Sequence, residues 1–257
     1  MPEAPSPVVP GALAIISDIH GNIDALTAVL RDVATQECQG LICLGDIVGY
    51  GPEPGECVRL IRKVAAITVM GNHEAMFLEI DGKEPDEREQ SNSIWKSLGL
   101  CREALTPDDK EWIRDMPLVA IMGDVTFLHA SLHEPQEFDY IYSLELAGDH
   151  FRAQETPVSF HGHTHVPVIW EERRGAIHYT MPGEEPVQLD PACRYTICVG
   201  SVGQPRNHDT RAAYALFDPD KRRLVIRRVA YDIDSAQKRF FQRGLSGFNS
   251  VRLALGE

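Results

Sequence analysis

Five short apolar runs in this chain each end at a cluster of Asp, His or Asn side chains, and this restricts the fold more than any other feature. The runs are typical of buried strands and cover residues 13–16, 41–44, 65–70, 125–128 and 157–160. In open α/β sheets, ligands bind outside the carboxyl ends of the strands, so successive strand ends can converge on one small volume. The pattern therefore predicts an α/β protein with one polar site at the strand ends.

The remaining patterns predict the helices, the strands and the domain boundaries of the chain. Helices are predicted over 24–33, 54–62 and 85–104, and Thr106 followed by Pro107 predicts a capped helix start. The second half predicts strands at 118–122, 125–128, 166–171, 176–180, 195–199, 212–218 and 223–231, and a closing helix over 232–243. We expect a disordered Pro-rich N-terminus over 1–10 and a single domain over 11–257, with a helical cap at about 77–116.

Composition excludes several classes of protein. A net charge of −13 argues against an extended nucleic acid as partner, because binding it requires a basic surface. No apolar run approaches the roughly 20 residues of a membrane helix, so no membrane partner is expected. Six cysteines without a C-x-x-C pair, and a start that lacks Lys and Arg, predict reduced thiols in a cytoplasmic protein. The sequence leaves open whether the chain forms a homo-oligomer.

Each polar cluster also has an ordinary structural interpretation. An isolated Asp-x-His after a strand is usually a turn or a helix cap, and Asn22 can cap the helix that follows. A single buried histidine such as His129 is more often a hydrogen-bonded core residue than a ligand. His163 and His165 are stronger candidates, because alternate residues of extended chain point the same way.

The clusters together resemble those of a known family. In chain order they are Asp18-Ile19-His20, Gly45-Asp46, Gly71-Asn72-His73-Glu74, His129 and Gly162-His163-Thr164-His165. In this order and spacing they resemble the calcineurin-like metallophosphoesterase superfamily, small bacterial phosphodiesterase-like branch, over residues 14–206. The resemblance implies a four-layer α/β/β/α sandwich of two mixed β-sheets flanked by helices.

The resemblance also implies two divalent metal ions and a small phosphoester or nucleotide substrate. One ion would be held by Asp18, His20, Asp46 and His165, and the second by Asp46, Asn72, His129 and His163, with Asp46 as the bridge. Nitrogen and oxygen donors without a thiolate suit transition metals and zinc better than calcium. The family implies Mn2+, with Fe, Zn, Co or Ni as alternatives.

A reaction hypothesis follows from this ligand set. The metal pair would lower the pKa of a water, the resulting hydroxide would attack phosphorus in line, and His73 would protonate the leaving oxygen. Asp46 and His73 are therefore the catalytic candidates. In eukaryotic-type Ser/Thr phosphatases of the superfamily an Asp pairs with this histidine, but here Gly49 replaces it. The orientation of His73 is thus left open, and Glu74 is a candidate for fixing it.

Comparison with the Ser/Thr phosphatases also narrows the range of expected substrates. Both phosphate-clamping arginines of the protein phosphatase pattern are absent, which favours diesters or pyrophosphate-linked substrates over monoesters. Arg206, in Gly-Ser-Val-Gly-Gln-Pro-Arg, is a candidate phosphate contact, with a structural turn or dimer packing as alternatives. Tyr50 or Tyr140 could stack on a nucleobase or pack as ordinary half-buried residues, and His133 could contact substrate.

Three functions are consistent with the sequence. The first is a phosphodiesterase or general phosphoesterase acting on small or nucleotide substrates. The second, on the same metals, is a dinucleoside polyphosphate hydrolase or a Ser/Thr protein phosphatase-like phosphomonoesterase. The third is a non-catalytic metal-binding interaction module, and the presence of His73 with all seven implied ligands weighs against it.

Overall fold

Two six-stranded mixed sheets pack face to face, and helices cover both outer faces. The computed structural model describes residues 11–36, 38–85, 87, 92–245 and 247–257, so the expected disordered lead-in over 1–10 lies outside the described residues. The strands are β1 (Ala12–Ile16), β2 (Cys38–Cys43), β3 (Ile67–Thr68), β4 (Val119–Met122), β5 (Val125–Leu128), β6 (Val158–His161), β7 (Val168–Arg173), β8 (Ala176–Thr180), β9 (Val187–Gln188), β10 (Arg194–Cys198), β11 (Ala212–Asp218) and β12 (Arg223–Val229).

Eight α-helices are present in the described part of the chain. They are α1 (Ile23–Thr35), α2 (Pro54–Val64), α3 (Asn72–Ile80), α4 (Ser93–Ala104), α5 (Pro107–Arg114), α6 (Leu144–Ala153), α7 (Ile233–Gln242) and α8 (Gly247–Leu255). A short 3-10 helix lies at Pro135–Glu137. The predicted start of α5 is confirmed, because Thr106 Oγ1 accepts the Asp109 N–H at 3.2 Å and Pro107 is the first helical residue.

The strand order places the polar loops at the carboxyl ends of the parallel strands in each sheet. The first sheet has the order β3-β2-β1-β11-β12-β9, and its β1, β2 and β3 are parallel. The second has the order β4-β5-β6-β10-β7-β8, and its β5, β6 and β10 are parallel. Parallel neighbours share one direction, so the loops that follow β1, β2 and β3 emerge together, as do those that follow β5 and β6.

The strands of the first sheet are apolar on both faces because both faces are covered. Leu13 and Ile15 of β1 point into the cluster between the sheets, whereas Ala14 and Ile16 point into the cluster under α1 to α5. This is the two-residue alternation of a strand. On the far side of the second sheet, Phe151 of α6 packs on that sheet's outer face. The layers are therefore helix, sheet, sheet and helix, and the predicted four-layer α/β/β/α sandwich is confirmed.

Some elements differ from the sequence prediction. Strand β3 has only two residues, Ile67–Thr68, where the pattern predicted 65–70. The predicted helix 85–104 is described as α4, Ser93–Ala104, since residues 86 and 88–91 lie outside the described residues. No pattern predicted α6, because Gly148, Asp149 and the buried polar His150 interrupt its apolar face.

Two further expectations concern membranes and thiols. None of the described helices has the length and apolar character needed to cross a bilayer. All six cysteines lie within the described residues and are free thiols.

Candidate metal centre

The structure brings the seven predicted ligands together at the carboxyl ends of the parallel strands. Asp18 and His20 follow β1, Asp46 follows β2, Asn72 begins α3 just after β3, His129 follows β5, and His163 and His165 follow β6. All except half-buried Asn72 are buried. Their carboxylate and imidazole atoms form compact groups in which every ligand atom lies within 4.8 Å of the others.

One group contains Asp18, His20 and His165. Nε2 of His20 lies 3.1 Å from Nε2 of His165, and Oδ1 of Asp18 lies 3.3 Å from the same His165 nitrogen. Oδ2 of Asp46 lies 3.7 Å from Nε2 of His20. Two imidazoles and a carboxylate thus point their donor atoms at one small volume, with Asp46 on its border.

A second group contains Asp46, His129 and His163, and a third contains His20, Asp46 and His73. Nε2 of His129 lies 3.2 Å from Nδ1 of His163, 3.1 Å from Oδ1 of Asn72 and 3.4 Å from Oδ2 of Asp46. Since Oδ2 of Asp46 faces both His20 and His129, this carboxylate lies between the first two groups.

The backbone at these positions is unusual. Positive φ angles occur at five of the seven predicted ligands, namely Asp18 (54°), His20 (49°), Asp46 (52°), His163 (65°) and His165 (60°). Left-handed backbone is uncommon for residues other than glycine, costs on the order of 1–3 kcal/mol each, and concentrates at functional sites. Hydrogen bonds between neighbouring loops hold this geometry, including Asp18 N–H to Gly45 O at 3.1 Å and His20 N–H to Asp46 O at 2.8 Å.

Three imidazoles have their proton positions fixed by backbone carbonyls. Nδ1 of His20 lies 3.2 Å from the carbonyl of residue 48, Nδ1 of His129 lies 2.7 Å from that of residue 44, and Nδ1 of His165 lies 2.6 Å from that of residue 204. When a neutral ring donates its Nδ1–H to a carbonyl, Nε2 is left with a lone pair directed into the site, and at His129 this form requires loss of the Nε2 proton. Metal-ligating histidines are held in this way, so these residues fit a divalent cation.

The pKa shifts of the buried carboxylates and imidazoles are also consistent with a site for divalent cations. Burial raises the pKa of Asp18 to about 7. Burial acts in the same direction on Asp46, but the positive charges of His129 and His73 outweigh it and hold the pKa of Asp46 well below its usual range. Burial lowers the pKa of His129, and Asp46 and Asp18 overcome this and raise it to about 9. Buried charges of this kind are normally paired or bound to metal ions.

Glu74 supports the site through the backbone. Its Oε2 accepts the N–H groups of Asp46 (2.7 Å) and Gly71 (3.0 Å), and its Oε1 accepts those of Ile47 (2.8 Å) and Val48 (3.1 Å). One buried carboxylate therefore joins the Asp46 loop to the start of α3. Among the described hydrogen bonds, none joins Glu74 to the His73 ring. The sequence signal for this role was the acidic residue at the third position of a helix.

His73 is not one of the seven predicted ligands, but its ring lies in a compact group with His20 and Asp46. Its backbone N–H donates to Oδ1 of Asp46 at 2.9 Å, and its Nε2 lies 3.9 Å from Oδ2 of Asp46. The ring packs against those of His20 and Tyr50, with both centroid distances 4.7 Å. Burial lowers the pKa of His73, and Asp46 opposes that effect. Within the described residues, its Nδ1 has no hydrogen-bond partner.

The segment 200–206 is both a structural turn and the carrier of Arg206. Ser201 Oγ and Gly203 N–H each donate to the Asp18 carbonyl at 2.8 Å, and Gln204 provides the carbonyl that holds His165. Nη2 of Arg206 donates to Oε1 of Gln204 at 2.8 Å, and its Cζ lies 5.7 Å from the centre of the Tyr50 ring. Sequence reasoning missed the Gln204 carbonyl, because a backbone group gives no signal in the sequence.

The other predicted substrate-contact residues are Tyr50, Tyr140 and His133, and they do not all lie at the site. The Tyr50 ring lies 4.6 Å from that of His20, and the Tyr140 ring is stacked on that of His163 at 3.9 Å. His133 is exposed, and no described contact joins its side chain to the centre. The structure thus brings the two tyrosines to the site and leaves His133 at the surface.

Comparison with known proteins gives the family. The family model of the calcineurin-like phosphoesterases matches residues 12–183. A metallophosphoesterase crystal structure from Sphaerobacter thermophilus is 36% identical, with a TM-score of 0.85 over 96% of this chain and 99% of that one. An uncharacterized protein of Methanocaldococcus jannaschii is 34% identical over 97% of this chain and its own full length.

A more distant similarity joins the chain to nucleotide hydrolases. The symmetrical bis(5'-nucleosyl)-tetraphosphatase of Dechloromonas aromatica is 30% identical over 46% of this chain and 42% of that enzyme. Phosphoester hydrolysis and the use of divalent metal ions are common to the family. Because the family model covers more than half of the residues and full-length relatives exceed 30% identity, this chain belongs to the calcineurin-like phosphoesterases and is a phosphoester hydrolase.

Proposed function

We propose that this protein is a dinuclear-metal-dependent phosphodiesterase acting on small or nucleotide substrates. The observation that carries the proposal is the set of buried donor groups on either side of Asp46, whose Oδ2 lies 3.7 Å from Nε2 of His20 and 3.4 Å from Nε2 of His129. Asp18, His20, Asp46 and His165 would hold one ion, and Asp46, Asn72, His129 and His163 the other. A shared carboxylate fits two nearby cations, because the anion between them offsets part of their repulsion. We propose Mn2+ for both sites.

Bound divalent ions would supply Lewis acidity and lower the pKa of an attacking water. In the reaction, the water oxygen bonds to phosphorus, the bond from phosphorus to the leaving oxygen breaks, and that oxygen takes a proton. His73 would donate this proton, since its ring borders the site and its backbone N–H is fixed on Asp46. A lowered pKa makes its imidazolium a stronger acid, although a smaller fraction is protonated at neutral pH.

Substrate contacts are proposed at Arg206, Tyr50 and His133. Arg206 is best supported, because its guanidinium lies against Tyr50 and, after burial, its charge is the largest cause that lowers the pKa of His165. The protein phosphatase pattern has a pair of clamping arginines, whereas Arg206 lies alone at the edge of this site. This difference agrees with a preference for diesters over monoesters. Substituting each residue by alanine should raise KM most at Arg206 and least at His133.

A second candidate is hydrolysis of dinucleoside polyphosphates. It is favoured by the similarity to symmetrical bis(5'-nucleosyl)-tetraphosphatases over just under half of the chain. The same donor groups would serve this reaction, because hydrolysis of a pyrophosphate linkage is also the attack of water on phosphorus, with a phosphate oxygen as the leaving group.

Initial rates on three substrates test both candidates. We would compare bis-p-nitrophenyl phosphate, p-nitrophenyl phosphate and diadenosine tetraphosphate, using metal-stripped protein reloaded with Mn2+. We expect the diester or the dinucleotide to be preferred, about two metal ions per chain by mass spectrometry, and loss of both in Asp46→Asn. Asp108→Asn, at an exposed position of α5, is the matched control. A preference for the monoester would contradict the argument from the missing arginines.

His73→Asn tests the proton donor separately. We expect its metal content to stay normal, its rate on a diester of an alkyl alcohol to fall about 10²-fold, and its rate on the p-nitrophenyl diester to fall much less, because that leaving group needs little protonation. Equal losses on both esters would count against the proposed role.

A further inference from the structure

A groove of about 450 Å³ lies next to the metal centre and is not used by the mechanism above. One side is formed by the segment that leads into α6, including Tyr140 and Tyr142, and the other by the β7–β8 hairpin, including Trp170, Tyr179 and Met181. Its volume is within the range of roughly 300–1,000 Å³ typical of small-molecule sites.

Aromatic and apolar side chains dominate the groove. Tyr142 is 74% exposed, Tyr179 is 61% exposed and Met181 is 63% exposed, although all three are large apolar residues. The described residues that line the groove include no Asp, Glu, Lys, Arg or His. A concentrated exposed apolar patch marks a binding surface, and the lack of cations disfavours a phosphate group as its occupant.

The groove borders the predicted metal ligands through two of its lining residues. Tyr140 lines it and is stacked on the His163 ring, with 3.9 Å between centroids and 23° between planes. Thr164, which lies between His163 and His165 in the chain, also lines it. A substrate whose phosphorus lies at the centre can therefore place the rest of its structure in the groove.

We propose that this groove binds the nucleobase of a nucleotide substrate, an inference that rests on the proposed function. A nucleobase is planar, aromatic and uncharged, and it matches a surface built from tyrosines and a tryptophan. The sugar would link the base to the phosphorus and pass Tyr140. Trp170 forms the buried part of the groove, with its ring 5.2 Å from that of Tyr179. Its Nε1 is buried and has no hydrogen-bond partner among the described residues.

The test measures binding and needs no turnover. The probes are the phosphonate analogue of adenosine 5'-monophosphate, in which carbon replaces the ester oxygen, and the matching analogue of ribose 5-phosphate. Dissociation constants would be measured by titration calorimetry on the wild-type protein, on Tyr142→Ser/Tyr179→Ser, and on Phe241→Ser. Tyr142 and Tyr179 are largely exposed, so their removal should not affect folding, and Phe241 is an exposed aromatic residue on α7 that serves as the control.

We expect the wild-type protein and Phe241→Ser to bind the adenine analogue about ten-fold more tightly than the ribose analogue. The double variant should lose this preference and keep its affinity for the ribose analogue. Trp170 fluorescence should change only with the adenine analogue, and Trp170→Phe should abolish that change, since Trp95 and Trp112 belong to the cluster under the first sheet.

Other outcomes would overturn the inference. Equal affinity of the wild-type protein for the two analogues would do so, as would a preference that survives in the double variant. Self-association that the double variant abolishes, without any adenine preference, would assign the groove to a second copy of the chain. A protein that prefers the adenine analogue but hydrolyses no diester would refute the proposed function and leave the groove assignment intact.

Discussion

At the scale of single residues, the orientation of His73 depends on a residue that has no side chain. Gly49 has a φ of 85°, and a Cβ built there would overlap Nδ1 of His73. The acidic residue found at this position in protein phosphatases would therefore not fit without displacing the histidine. Packing against His20 and Tyr50, together with the backbone bond to Asp46, holds the ring instead.

We predict that Gly49→Ala lowers kcat by about 10²-fold or more while the bound metal is retained, because a shift of roughly 1 Å in a catalytic group has that effect. Gly175→Ala is the matched control, since Gly175 has a similar φ of 82° and a Cβ there would contact nothing within 4 Å. The measurements are kcat on an alkyl diester and metal content per chain. Equal effects of the two substitutions would show that backbone strain, and not the overlap with His73, is responsible.

Glu74 is the second residue whose role can be tested alone. Glu74→Gln replaces one carboxylate oxygen by an amino group that faces backbone N–H donors, so two of its four hydrogen bonds are lost in a buried place. We expect the free energy of unfolding to fall by about 3 kcal/mol and the metal affinity to weaken. Urea unfolding and metal titration measure these effects. Glu111→Gln, at an exposed position of α5, should change neither, and a wild-type result for Glu74→Gln would contradict the proposed role.

At the scale of elements, α6 is attached to the second sheet through a buried histidine. Nδ1 of His150 accepts the Leu132 N–H at 3.0 Å, and its Nε2 lies 2.9 Å from Oγ of Ser159, which donates to Oε1 of Gln154 at 2.9 Å. Because Nδ1 accepts a hydrogen bond, the ring is neutral and Nε2–H donates. Burial lowers the pKa of His150 to about 3.

This attachment should make stability depend on pH. The pKa of His150 is about 3 in the folded state and near 6.5 when unfolded, so the unfolded state binds more protons between these values. The stabilisation that neutral His150 provides is complete above pH 6.5. As the pH falls below that value, the free energy of unfolding decreases by up to about 1.4 kcal/mol per pH unit. We expect the difference in unfolding free energy between wild type and His150→Gln to shrink from pH 7 to pH 4. The exposed His178→Gln should parallel the wild type, and parallel curves for all three proteins would refute the prediction.

At the scale of the whole molecule, the metal centre lies where loops from both sheets meet. His129, His163 and His165 come from the second sheet, and Asp18, His20 and Asp46 from the first. Without cations, this interface contains buried carboxylates, one of which has its pKa raised to about 7. Bound ions would therefore stabilise the packing of one sheet on the other.

We predict that removing divalent ions with a chelator lowers the melting temperature by roughly 5–10 °C, as expected when a ligand present at about 100 times its Kd is lost. Adding Mn2+ back should restore it. Differential scanning calorimetry measures the change, and Asp46→Asn should show little response to either treatment. An unchanged melting temperature in the wild type would argue against ions between the two sheets.

The sequence predicted those parts of the fold and site that depend on local pattern. The apolar runs before Asp18, Asp46, His129 and His163 end within one residue of the strand ends, since burial of both strand faces requires continuous apolar residues. Strand β3 is shorter than its apolar run, because only Ile67 and Thr68 pair with β2. Helix α6 was missed because polar residues and a glycine interrupt its apolar face, and its packing on the second sheet depends on a partner surface that is distant in sequence.

The sequence by itself determined the donor types, their order at the strand ends and hence the family, because each motif is a few consecutive residues whose chemistry can be read directly. The tertiary structure alone decided how these donors are arranged. It brings His20 within 3.1 Å of His165, 145 residues away, supplies the backbone carbonyls that fix three histidine tautomers, and leaves space for His73 at Gly49. It also places the aromatic groove beside His163. These features depend on contacts between distant loops and on backbone atoms, which every residue carries and no sequence motif specifies.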